Sequence, residues 1–178
     1  MVFVQKSLAE MVSEANVKDL EQSFLSHTIT TSDKRYDWLR LYLRTHQKLL
    51  KGHLLDEVDV RNILYPYRRL PLIALMMENC YNRGYDYAQD KPIILDYIFG
   101  ADGLIMRCKD FGKGFDTQLV IGALESNERK QGIHYRGSGI GLTVLAKDPY
   151  QVNIESSRLD PSGTTVTVLY KVQHLQQA

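Results

Sequence analysis

The order of elements along this sequence predicts an α+β fold, a two-layer α/β sandwich whose mainly antiparallel mixed sheet is covered on one face by helices. Three observations carry that prediction. Apolar residues at helical spacing dominate the first half of the chain. Two pairs of β-rich runs, each joined by a short turn-rich connection, occupy the second half. A glycine-rich string that opens a helix separates the two pairs, so helices and antiparallel hairpins alternate without a βαβ repeat.

Residues 5–25 read as an N-terminal helical extension, with Leu8, Met11 and Val12, then Val17, Leu20, Phe24 and Leu25 at helical spacing; packing and dimerisation are the jobs open to it. His27 to Thr31 is β-prone, and Ser32 or Asp33 offers an N-cap to a helix over 34–51 that Gly52 ends. A helical piece over 56–65 is interrupted at Pro66 and again at Pro71, because proline has no amide proton and crowds the preceding turn. Pro71 suits a first helical turn, and the run from it is apolar at Leu72, Ile73, Leu75, Met76 and Cys80, which predicts a helix to about Tyr87. Ile93 to Phe99 and Leu104 to Lys109 form a hairpin across Gly100-Ala101-Asp102-Gly103. Residues 115–136 make a connector with a short helix near 117–125 and a polar run, Ser126 to Gly132; a helix opens over Gly141 to Lys147. Val152 to Ser156 and Thr164 to Val172 close the chain as a second hairpin across Asp160-Pro161-Ser162-Gly163. The domain division that follows is an extension over 1–27 and one domain over 28–178.

Composition bounds the function. The 178 residues are 44% hydrophobic and 24% charged, ordinary for a globular domain with a real core. Twenty-two basic against 21 acidic residues leave a net charge of +1, so no global field attracts nucleic acid or an anionic membrane, and any bound anion must be caught locally. Cys80 and Cys108 are far apart in sequence and neither belongs to a CxxC pair, which speaks against a zinc site or disulfide framework and for two reduced buried thiols. No run approaches the roughly 20 apolar residues of a membrane span, and the start of the chain lacks a signal-peptide core, so a cytoplasmic protein is expected.

Three strings carry chemistry. Glu78-x-x-x-Asn82 puts a carboxylate and a carboxamide on one helix face, able to orient water or take a proton and to ligate magnesium, and it interrupts an apolar face. Asp110-Phe111-Gly112-Lys113-Gly114 follows a strand directly; its carboxylate can accept from an exocyclic amine, and its glycines let backbone approach a flat ring or a phosphate. Arg136-Gly137-Ser138-Gly139-Ile140-Gly141-Leu142 leads into a helix and offers free amide protons to an anion at the positive end of the helix dipole. Taken singly, each string is weak: a solvated polar stripe, a β-turn and a glycine-rich loop would account for them.

Together and in this order, the three resemble the N, G1 and G2 boxes of the histidine-kinase-like ATPase superfamily, whose domains have the Bergerat-type ATP-binding fold, and the resemblance covers residues 28–172. It implies ATP and magnesium (Mg2+) as ligands. By position, it implies Glu78 as general base, Asn82 as magnesium ligand, Asp110 as reader of adenine N6, and Gly112 and Gly114 as shapers of the base pocket. Gly137, Gly139 and Gly141, with Arg136 and Leu142, fall beside the phosphates, and Thr164 matches a threonine that helps bind adenine. In detail the string DFGKGFD and the closing GTTVTVLYK strand look most like the anti-sigma-factor serine/threonine kinases, although Asn82-Arg83-Gly84-Tyr85-Asp86 stands where that branch often has NAxxH.

The function so implied is transfer of the ATP γ-phosphate to a Ser or Thr of a partner switch protein, with a sigma factor or an anti-anti-sigma-like protein as partner and a second copy of the chain left open. Two alternatives stand beside it. One is a nucleotide-binding interaction module without turnover. The other is the catalytic ATP-binding domain of a two-component histidine kinase, against which stands the setting of His27, ahead of β-branched residues and outside any long helical hairpin. His46, His53, His134 and His174 show no ligand spacing.

Overall fold

The computed structural model describes residues 5–31, 72–118, 121–122 and 150–171. The expected helices over 34–51, 56–65 and 141–147, the polar run 126–132 and the glycine-rich string 136–142 lie outside the described residues. Two short helices, α1 (Leu8–Glu14) and α2 (Leu20–Ser23), precede strand β1 (Phe24–Thr30). Helix α3 (Leu72–Asn79) runs into a π-helical turn over Cys80–Gly84, and strands β2 (Pro92–Phe99), β3 (Gly103–Asp110), β4 (Tyr150–Ser157) and β5 (Gly163–Lys171) follow.

The five strands form one sheet in the order β1-β2-β3-β5-β4, and all four pairings among the described strands are antiparallel. Both expected hairpins are present, and the fold class is α+β. The strand expected over 27–31 begins earlier, at Phe24, and alternates exposed with half-buried residues as an edge strand does. Helical residues at 117–118 and 121–122 fall within the short helix expected near 117–125. Among the described residues, no helix is long and apolar enough to cross a membrane.

Because side chains alternate across a strand, each face of the sheet is read from every second residue. On one face Ile93, Leu95 and Tyr97 of β2, Leu104, Met106 and Cys108 of β3, and Val166, Val168 and Tyr170 of β5 form the main core with Ile73, Met76, Met77 and Cys80. This is the helix-covered face the sequence predicts. The opposite face is covered too, which corrects the one-sided sandwich: Met11 and Ala15 of the α1 segment pack on Ile98, Ile105 and Leu169 in a second core. Met11 is fully buried there, a transfer that stabilises by about 1.5–3 kcal/mol. The extension is therefore packed on the sheet.

Polar groups fix where α1 lies. Ser7 caps it, accepting from the Glu10 amide while the Glu10 carboxylate takes the Ser7 amide, a reciprocal capping box. Asn16 ends it in the left-handed region at φ 55°, and the Ala15 and Asn16 carbonyls accept from Asp102 and Ala101 in the β2–β3 turn. The approach is so close that a Cβ on Gly100 would lie 1.9 Å from the Ala15 oxygen. Farther along this face, Ser26, Asp96, Arg107, Thr167 and Asn153 share one cross-strand row. Ser26 donates to Asp96 (2.7 Å), and Gln5 donates to Asn153 (2.6 Å), tying the residues before α1 to β4.

Glu14 completes the attachment. Its carboxylate meets Lys171 of β5 at 2.6 Å, accepts from Gln151 of β4 at 3.0 Å, and pairs with Lys6. Lys171 first, then Lys6 and Gln151, hold the carboxyl down from the ordinary 4.5 to about 2. A depressed carboxyl contributes stability above its unfolded-state value and loses it as pH falls toward the folded one. Because the group is partly exposed, Glu14→Gln is expected to cost about 1 kcal/mol at neutral pH, with the difference from wild type closing between pH 4.5 and about 2. Urea denaturation over that range measures it; a difference that persists unchanged at the acid end would refute the assignment.

Candidate functional site

The site is built where β3, β5 and the π-helical turn converge. Asp110 is the last residue of β3, and its register partner Thr164 is next to the start of β5, with Ser156 of β4 beyond it on the same row. Asp110 is buried to 2% exposure, yet it sits at a strand end, where the ladder stops supplying neighbours. One carboxylate oxygen accepts from the Gly112 amide at 2.9 Å. The Thr164 amide and the Cys80 thiol also reach the carboxylate. Burial pushes its pKa up all the same, outweighing these three hydrogen bonds.

What buries Asp110 is glycine backbone. Helix α3 widens at Cys80 into the π-helical turn, which closes with the Tyr85 amide on the Cys80 carbonyl at 3.0 Å. The turn sets Gly84 so close to Asp110 that a Cβ there would meet the carboxyl carbon at 2.5 Å, and a Cβ on Gly112 would lie 1.9 Å from the Gly84 carbonyl oxygen. Tyr85 ties the same corner from the other side: its hydroxyl accepts from the Phe111 amide at 2.8 Å and donates to the Pro92 carbonyl. Burial above all pushes that hydroxyl up to about 12. Gly114 follows with φ +62°, a conformation that side chains rarely adopt, and its Cα faces the Ser157 carbonyl. The next amide, of Phe115, donates to Ser156 Oγ at 2.8 Å, and Ser156 Oγ is 2.9 Å from Thr164 Oγ1.

These elements enclose a cleft of about 60 Å³ lined by Asn79, Cys80, Gly84, Asp110, Gly114, Phe115, Thr164 and Val166. Asp110, Gly114 and Thr164, singled out in the sequence, thus come together in it. Gly112 does not line it and instead backs the π-helical turn. Glu78 and Asn82 are half-buried and outside the lining, and burial raises the pKa of Glu78. Arg136, Gly137, Gly139, Gly141 and Leu142 lie outside the described residues.

The carboxamide that does line the cleft is that of Asn79, whose Nδ2 is buried and has no hydrogen-bond partner among the described residues. Sequence reasoning passed over it because spacing of four selects one face only while the helix stays α-helical. The π-helical turn takes i→i+5 bonding from Cys80 onward and changes which residues share a face. A usable signal was Gly84, five residues after Asn79, where a helix approaches another backbone. Cys80 and Cys108, set apart by sequence distance, are brought together with sulfurs 3.2 Å apart.

Chemically, the cleft offers a desolvated carboxylate acceptor, the Thr164 hydroxyl, apolar contact from Val166 and Phe115, and one amide. That set fits a flat heterocycle bearing an amine. Among the described residues, no group of three or more His, Cys, Asp or Glu could hold a metal ion. No protein-family model matches the sequence, and no match was found among curated proteins.

Two outcomes follow from this packing. Gly84→Ala must push Asp110 aside or open the turn, so a loss of about 1–3 kcal/mol is expected by urea denaturation; an unchanged midpoint would show that the contact is loose. Asp110 behaves oppositely to Glu14 with pH. Its raised pKa means that its ionisation opposes folding, and the penalty is relieved as pH falls through that raised value toward the ordinary 3.8. Ligand-free wild type should gain stability relative to Asp110→Asn over this descent, and a gap moving the other way would count against the burial argument.

Proposed function

We propose that this chain binds ATP with magnesium in the Asp110 cleft, as a Bergerat-type domain of the histidine-kinase-like superfamily, and serves as a regulatory switch kinase of the anti-sigma-factor type. The observation that carries the reading is the buried carboxylate of Asp110, facing a cleft beside Thr164 and Gly114. A desolvated acceptor selects a donor: the amine at C6 of adenine can add a hydrogen bond to it, whereas the C6 oxygen of guanine sets one acceptor against another.

In this reading Thr164, whose hydroxyl is already engaged by Ser156, holds the base edge, directly or through water. Val166 and Phe115 supply apolar contact to the ring. The Asn79 amide, buried and lacking a partner for its nitrogen, fits the nucleotide side of the cleft better than Asn82 does. Magnesium would neutralise phosphate charge during transfer. Gly137, Gly139 and Gly141, with Arg136 and Leu142, remain the residues proposed for the phosphates. Glu78, whose pKa burial raises, is the residue proposed to take the proton of a partner hydroxyl. The partner is a protein hydroxyl donor of the switch type.

One observation favours the alternative of a binding module without turnover: Glu78 lies outside the lining of the cleft. The two readings share nucleotide binding and differ in transfer. Calorimetry should show ATP binding more tightly than GTP, and Asp110→Asn weakening ATP by about 1.5–3 kcal/mol. Equal affinities, or no loss in the variant, would refute the site. With labelled ATP and a protein acceptor, Glu78→Gln should keep ATP affinity while losing about 10²- to 10⁴-fold in transfer. Nucleotide-dependent capture of the acceptor with no phosphate transferred by the wild type would establish the binding module instead.

A further inference from the structure

The floor of the cleft holds a feature that nucleotide binding does not use. Cys80 opens the π-helical turn, Cys108 lies on β3 two residues before Asp110, and their sulfurs are 3.2 Å apart. Both thiols are free. Both are buried, Cys108 fully and Cys80 to 2% exposure, but Cys80 is one of the residues lining the cleft, so the cleft is the route by which a small reagent would reach the pair. A disulfide has a bond of about 2.0 Å, so the pair needs roughly 1 Å of approach to close. The Cys80 thiol also lies within hydrogen-bonding reach of the Asp110 carboxylate, which sits beside it as a proton acceptor.

We propose that Cys80 and Cys108 form an oxidisable dithiol, a modification site at the base of the cleft for a small oxidant of the hydroperoxide class, and that a ligand occupying the cleft shields it. The shielding rests on the adenine-nucleotide reading of the cleft; the modification does not.

The chemistry is a two-step exchange. Cys80 sulfur, its proton passing to Asp110, attacks one oxygen of hydrogen peroxide; the O–O bond breaks, an S–O bond forms, and the departing hydroxide takes up the proton as water. Cys80 is then a sulfenic acid. Cys108 sulfur attacks Cys80 sulfur, the S–O bond breaks, and the second water leaves with the Cys108 proton. Two thiols are oxidised by two electrons, one peroxide is reduced to two waters, and a Cys80–Cys108 disulfide remains. Hydrogen bonding with Cys108, and burial, hold Cys80 protonated at neutral pH, so the resting pair is the dithiol and a base beside it matters. The product locks the π-helical turn to β3 and withdraws the thiol hydrogen from Asp110.

The test uses the full chain, fully reduced and then treated with hydrogen peroxide alongside an unstructured thiol peptide. At intervals it is denatured, alkylated and mapped. The expected result is loss of both thiols together, a linked Cys80–Cys108 peptide from monomeric protein, and recovery of both thiols with dithiothreitol. In Cys108→Ser the reaction should stop at a Cys80 sulfenic acid that dimedone traps. Should that variant not fold, the wild-type map decides alone. Thiols that stay alkylatable after the control peptide is consumed, or Cys80 driven to sulfinic acid without a link, would overturn the proposal. With ATP and magnesium at ten times the measured Kd, oxidation should slow about tenfold, since only unoccupied protein reacts. An unchanged rate with ATP demonstrably bound would overturn the shielding. Normal cross-linking in a protein that binds no ATP would refute the nucleotide reading and leave the dithiol site established.

Discussion

Removing the Asp110 carboxylate from water while leaving it facing a cleft is the constraint on which the rest of the site depends. A carboxylate at a strand end would ordinarily be wet. Here the Gly84 backbone lies against one side, the Gly112 backbone lies behind Gly84, and the start of β5 closes the other side. Each contact is possible only because a Cβ is missing. The result is a carboxylate acceptor at 2% exposure that still borders the cleft. The same burial raises its pKa, so the ionised carboxylate carries a penalty in the fold.

The sheet transmits that constraint through its two faces. On the α3 face, apolar residues fill the core beneath the π-helical turn and hold it against β3. On the other face, α1 covers Ile98, Ile105 and Leu169, and the Glu14 cluster fastens it to β4 and β5. Of those two strands, β5 brings Thr164 to the cleft, and Ser156 of β4 is hydrogen-bonded to it. The extension therefore braces, from behind, the strand pair that forms one wall of the site. Its C-terminal turn also grips the β2–β3 connection, the strand pair that delivers Asp110.

The π-helical turn is the junction between these layers. It ends the α-helical phase at Asn79, places Cys80 over Cys108, and lets Gly84 approach the carboxylate. Wide turns of this kind are found at functional sites because the inserted residue redirects side chains without breaking the helix. Asn79, the last residue of α3, and Cys80, the first of the turn, both line the cleft.

Sequence by itself determined the two hairpins, because β-prone runs flanking the Ala-Asp-Gly and Pro-Ser-Gly turns carry local information sufficient for that purpose. Asp110, at a strand end followed by two spaced glycines, was legible from the residues themselves, since strand termini and glycines are visible in one dimension; Thr164 was singled out only through the resemblance that the ordered strings carry. Only the tertiary structure decided which carboxamide joins them. Glu78 and Asn82 satisfy the α-helical period, but the π-helical turn changes that period from Cys80 onward, and it is Asn79, the last residue of α3, that lines the cleft. Only the tertiary structure, likewise, set α1 on the second face and joined two cysteines that lie 28 positions apart. Such contacts depend on where separate elements dock, and docking is settled by the summed burial of both faces of a sheet, which no local spacing encodes.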